Sequence, residues 1–134
     1  KNSGGSPPLL FLGGNMKNTL TYIEATNRRY PIVFNINVME EIQEAYGSLS
    51  AWGGIVENAN GGEPKIKDLK IGLMMMINEA IDIENEETGN NAPMVNAKQV
   101  GRLITEVGFE AITKKIQELT IASTNTGDNE GKNE

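Results

Sequence analysis

The sequence predicts an α+β fold, mainly α: an N-terminal β-hairpin, about four helices packed as a small bundle, and a disordered C-terminal tail. Three observations predict it. Strand-like alternation is confined to the stretch before Phe34, where it is split by the turn residues Thr26 to Arg29. Beyond Phe34, apolar residues recur three and four apart in separate blocks, each bounded by Gly, Asn, Ser or Pro. The closing stretch "STNTGDNEGKNE" holds no large apolar side chain to bury, so disorder is expected from about Thr124. At 134 residues the chain is one domain's worth, with a modest core.

Residues 1–15 stand apart from the domain expected over 16–123. "PPLLFLGG" (Pro7 to Gly14) is too short for a signal-peptide core and lacks the basic start and small-residue cleavage pattern, which leaves a flexible arm. A genetic reading competes with it. "LGGNM" (Leu12 to Met16) can be encoded with GGA-GGA-AAC-ATG, a ribosome-binding site just ahead of a start codon, which would make Lys1 to Asn15 leader and Met16 the natural start.

"TLTYIEA" (Thr19 to Ala25) sets Leu20, Tyr22 and Glu24 on one face of a first strand, and "YPIVF" (Tyr30 to Phe34) reads as the second. Pro31 lacks an N–H, so it must open that strand or lie on an edge. Asn37 and Glu40 suggest a capping box for a helix over Val38 to Tyr46, carrying Val38, Met39, Ile42, Ala45 and Tyr46 at helical spacing and stopped by Gly47. Ser48 or Ser50 caps a short turn with Leu49 and Trp52. Gly53-Gly54 and "NANGGEP" (Asn58 to Pro64) read as hinge and loop. A long helix follows over Lys65 to Ile83, then a polar connector, Glu84 to Pro93. Asn96 and Gln99 form a second capping box before a helix over Ala97 to Val107, with Val100, Leu103, Ile104 and Val107 inward. Gly108 ends it, and Phe109, Ile112, Ile116 and Leu119 mark one face of a last helix to Ala122.

Composition narrows function chiefly by what is missing. The chain has no Cys and no His, which removes disulfides, thiolate sites, the commonest general base and the commonest transition-metal ligand. The expectation is therefore a non-enzymatic intracellular protein without cofactor. A net charge of −6 argues against nucleic acid as a partner, and no stretch approaches the roughly 20 apolar residues of a membrane span. The acidic cluster Glu79, Asp82, Glu84, Glu86 and Glu87 lacks the turn glycine and full alternation of a calcium loop, so it reads as a solvated face. Neither glycine pair has the Lys-Ser/Thr of a phosphate loop. Lys65, Lys67 and Lys70 read as a solvated helix face.

Three consecutive methionines, Met74 to Met76, lie in the long helix. At about 100° per residue, Ile66, Leu69, Leu73, Met76, Ile77, Ala80 and Ile83 fall on one arc, with Met74 and Ile81 at its edge. Ile71 and Met75 fall on the opposite side, among Lys67, Asp68, Asn78, Glu79 and Asp82. Either another part of the chain covers them or they bind a partner, a role that suits the unbranched, adaptable Met side chain.

Three blocks together carry a resemblance: "YPIVFNINVMEEIQEAYGSLSAWG" (Tyr30 to Gly53), "DLKIGLMMMINEAIDIENEE" (Asp68 to Glu87) and "KQVGRLITEVGFEAITKKIQE" (Lys98 to Glu118). In order and texture the chain from Met16 to about Thr124 resembles the tail assembly chaperones of long-tailed bacteriophages and prophages. The resemblance implies a helical protein of the bacterial host cytoplasm, absent from the finished virion, that binds the hydrophobic helical tape measure protein and keeps it soluble while the tail tube assembles. It also implies a longer form, made by ribosomal frameshifting, whose extension recruits the tail-tube protein. Gly131-Lys132-Asn133 can be encoded GGA-AAA-AAC, which contains a slippery heptamer in the required phase; Thr113-Lys114-Lys115 could encode a similar one. Several copies would be needed along a long partner, so self-association is expected. The competing expectation is a small structural tail or head–tail connector protein kept in the virion.

Overall fold

A computed structural model describes residues 20–132, with side chains described from 20 to 123. The expected leader or arm at Lys1 to Asn15 and the codon-level expectation at Asn133 lie outside the described residues. The hairpin pairs β1 (Thr21–Glu24) with β2 (Arg29–Ile32) in antiparallel register, Tyr22 opposite Pro31 and Ile23 opposite Tyr30. Its turn closes through Ala25 N–H to the Arg28 carbonyl at 2.9 Å. Strand β2 starts at Arg29 rather than Pro31, and a two-stranded sheet leaves Pro31 the edge it needs. Arg29 lies 3.9 Å over the Tyr22 ring and Arg28 lies 4.2 Å over Tyr30, so both turn cations rest on aromatic faces.

Helix α1 (Ile36–Tyr46) begins two residues earlier than the capping pattern at Asn37 suggests. Its cap is Asn35, whose Oδ1 accepts the Val38 N–H at 3.1 Å. Asn37 sits inside the helix and its amide is used elsewhere, donating to Glu79 at 3.0 Å. Gly47 ends the helix at φ 96°, where a side chain would be strained.

The expected short turn after Ser48 is a full helix, α2 (Leu49–Glu57), and Gly53 and Gly54 lie within it rather than forming a hinge. Ser48 caps it by accepting the Ala51 N–H at 2.9 Å. Each helical glycine costs about 1 kcal/mol relative to Ala. Burial of Trp52 and Val56 outweighs that cost, since a large apolar side chain contributes about 1.5–3 kcal/mol when buried.

Helix α3 (Ile66–Thr88) runs five residues past Ile83, taking in the first half of the supposed connector and ending at Gly89, φ 79°. Glu and Asn there carry no helix-breaking geometry, and Gly89 is the first residue that prefers the left-handed stop. The remaining connector folds back along α3 under two matched clamps. The Asn78 amide exchanges both hydrogen bonds with the backbone of Val95, at 2.8 and 3.0 Å. Asn85, two turns on, does the same with Ala92, both at 3.0 Å.

Helix α4 (Ala97–Val107) opens with the expected capping box: the Asn96 side chain accepts the Gln99 N–H and the Gln99 side chain accepts the Asn96 N–H. Gly108 separates it from α5 (Phe109–Lys132). The helix runs ten residues past Ala122, where the sequence placed its end, and takes in most of the tail expected as disordered from Thr124, since a polar stretch without proline can continue a helix.

One cluster forms the core. Ile23 and Ile32 from the hairpin, Val38 and Ile42 from α1, and Trp52 and Val56 from α2 meet Leu69, Leu73, Met76, Ile77 and Ile81 of α3. Val100, Leu103 and Ile104 of α4 and Ile112 and Ile116 of α5 close it. Strand β2 lies against α3, where Val33 N–H donates to the Met76 carbonyl at 3.4 Å. Gly72 lets the Trp52 ring lie against α3: a Cβ there would stand 2.5 Å from Cζ3.

Candidate interaction surfaces

Met76 is fully buried, and Met74 is half-buried against the core. Ile71 and Met75 are each half-buried, and of the two Met75 is the one packed against the core cluster. Ile66 departs from the arc expected for it. It is 56% exposed because the helix begins there, so its core-side position overhangs the end of the bundle.

That overhang forms one wall of an open groove of about 730 Å³. Ile66 and Lys70 of α3 line it together with Lys98, Gly101, Arg102, Ile104 and Thr105 of α4 and Phe109 of α5. Gly101 keeps the floor low: the Lys70 stem passes 3.4 Å from where its Cβ would stand. The rim is mainly basic. Its one carboxylate, Glu106, accepts the Thr26 backbone N–H at the hairpin turn. The Thr26 hydroxyl and then its N–H hold that carboxyl below the ordinary carboxylate range.

A second, smaller site of about 190 Å³ has the opposite character. Met75 and Met94 sit among Glu41, Glu79 and Asp82, beside Asn78. Two asparagine amides fix the Glu79 carboxylate, Asn35 at 2.9 Å and Asn37 at 3.0 Å. Asn78 holds the Val95 backbone and so presents its neighbour Met94, which is 48% exposed. Ile36, between the two asparagines, is 73% exposed.

The acidic cluster read from the sequence is therefore divided by task. Glu79 belongs to the small site, and Glu84 accepts the Tyr22 hydroxyl at 2.7 Å, tying the hairpin to α3. That bond to Glu84 pushes the Tyr22 phenol above its ordinary range, with burial adding to it. Among the described residues no group of three acids is placed to hold a metal ion. No described helix is long and apolar enough to cross a membrane.

Sequence reasoning missed the groove because three separate elements build it, and it missed Met94 because the connector carries no periodicity. The seven-residue spacing of Asn78 and Asn85 was the legible signal for the clamps. Comparison with family models, with curated proteins and with solved structures finds no match.

Proposed function

We propose that this chain is a non-enzymatic tail assembly chaperone, which binds the tape measure protein in several copies and keeps it soluble while the tail tube assembles. One observation carries the reading beyond the resemblance of the three sequence blocks. Four large apolar side chains, Ile36, Ile66, Met94 and Ile121, are 73, 56, 48 and 47% exposed on one small domain. Scattered singly such residues are ordinary, but Ile66 stands together with Ile104 and Phe109 in the open groove of about 730 Å³, and an apolar groove fits contact with another chain. A long apolar partner would be covered stripe by stripe, helix against groove. The work belongs in the bacterial cytoplasm, and a frameshifted longer form would bring the tail-tube protein to the complex.

Co-expression with the tape measure protein tests this. The partner is expected in the soluble fraction with the chaperone and in the pellet without it. Ile71→Lys with Met75→Lys, and Ile71→Lys alone as the variant that leaves the core untouched, are expected to weaken capture while a thermal melt shows the chain still folded, because a charge placed in an apolar contact is costly to desolvate. A tape measure protein equally soluble alone would overturn the reading. Abundant chain in purified particles would favour the connector-type structural protein instead.

A further inference from the structure

We propose that Asn60 is a site of spontaneous self-modification, converted to aspartate or isoaspartate through its own backbone at a pace set by Asn58. Of the chain's asparagines, Asn60 alone precedes a glycine. That neighbour matters because the reaction closes a five-membered ring on the next residue's nitrogen, where a side chain would crowd it. A Cβ built at Gly61 would meet nothing within 4 Å, so the ring forms into open space. Neither residue lines the groove or the methionine site.

The fold sets this asparagine apart. Asn35, Asn37, Asn58, Asn78, Asn85 and Asn96 each commit their side-chain amide group to a hydrogen bond. The Asn60 side chain is exposed and makes none among the described residues. Asn27, Asn90 and Asn91 are exposed too, but Arg, Asn and Ala follow them. From Ala59 to Lys67 every residue is exposed, so water reaches the reacting groups.

The chemistry needs neither enzyme nor cofactor. The Gly61 nitrogen gives its proton to solvent base and bonds to Cγ of Asn60. The Cγ–Nδ2 bond breaks and ammonia leaves, which closes a succinimide. Water then opens the ring at either carbonyl. One opening restores a normal main chain with aspartate at position 60. The other leaves isoaspartate, with the main chain rerouted through Cβ and Cγ. Either product adds a negative charge, and neither reverts to asparagine.

Asn58 brackets the reacting pair. Its carbonyl accepts the Gly61 N–H at 2.9 Å, and its side-chain amide donates to the Gly62 carbonyl at 2.9 Å. The first bond turns the attacking nitrogen toward Asn58, and the second keeps the turn closed. Ring closure therefore waits on release of the bracket. Isoaspartate makes that release permanent, since a main chain lengthened by a methylene no longer fits the same span.

The test is incubation of the purified chain in mildly alkaline buffer, followed by charge separation and peptide mapping. A more acidic form should accumulate, with the change mapped to residue 60 and ammonia released in equal amount. Hydroxylamine, which attacks succinimides, should cut the chain between Asn60 and Gly61. Asn60→Gln should show neither signal, because its ring would need six members. The same chain unfolded in urea gives the unbracketed rate, and the folded chain should convert measurably but more slowly. Asn58→Gly keeps the left-handed turn at φ 54° and deletes the side-chain arm of the bracket. It should convert about two- to tenfold faster than wild type, the factor that one hydrogen bond corresponds to. If that variant melts early, the comparison with urea decides alone. A folded chain that converts as fast as the unfolded one overturns the proposal. So does a folded chain that stays uniform, an acidic form mapped to another asparagine, or a folded Asn58→Gly that converts no faster.

Discussion

At Gly72 an added methyl would meet the Trp52 indole, with Cζ3 at 2.5 Å and Cη2 closer still. Ala is ordinarily the better helix residue by about 1 kcal/mol. Here the collision wins, because the ring is fully buried and cannot swing out. Gly72→Ala should therefore cost about 1–3 kcal/mol in urea denaturation. Gly101→Ala separates the two effects: its Cβ would meet only the flexible Lys70 stem, so α4 should gain up to about 1 kcal/mol while the groove loses depth. Met76→Ala should cost about 2–5 kcal/mol, as the site is sealed on all sides. Ile71→Lys should stay within about 0.5 kcal/mol, and Met75→Lys should cost more, because Met75 leans on the core. Tyr46 supplies a pH signature. Burial, and then the Asp68 charge, push its phenol up to about 12, while its hydroxyl donates to the Asp68 carbonyl at 2.8 Å. With the folded value raised, the stabilisation is complete below the unfolded phenol range near 10 and is lost as pH climbs toward 12. Tyr46→Phe should flatten the alkaline limb of a stability–pH curve; an unchanged limb would assign it to other groups, such as Tyr22.

Among the elements, the return segment between α3 and α4 depends most on specific side chains. It has no regular hydrogen bonding of its own, so Asn78 and Asn85 supply what a neighbouring strand would. Removing Asn78 leaves the Val95 N–H and carbonyl unpaired in a part-buried place, which should cost about 1–3 kcal/mol. Asn85→Ala should cost less, since water can replace its bonds at an exposed site. Hydrogen exchange at Val95 should accelerate in Asn78→Ala and hardly change in Asn85→Ala. The helices with strong local signals were legible in the sequence: α4 begins and ends where its capping box and Gly108 set it. Helix α2 was legible only as a turn, because two adjacent glycines argue locally for a loop and only the tertiary burial of Trp52 and Val56 overrules them. The end of α3 is not legible locally, because an acidic, polar run reads as a connector although glutamates continue a helix readily.

Across the whole molecule, the sequence carried the hairpin, the order of the helices and most of the core, since each rests on a pattern within one segment. The surfaces were less legible. Ile71 and Met75 could be found on a helical wheel, yet the groove joins residues from Ile66 to Phe109 on three helices and has no linear pattern. Charge is likewise uneven in a way that the net value of −6 conceals, with cations gathered at one site and acids at another. The chain's one tryptophan lies outside both sites, fully buried with Tyr46 at 5.3 Å between ring centroids. Its fluorescence should consequently be blue-shifted, fed by energy transfer from Tyr46, and indifferent to whether copies are joined. A red shift would then report melting alone, giving an optical means to tell an unfolded variant from one that has merely come apart.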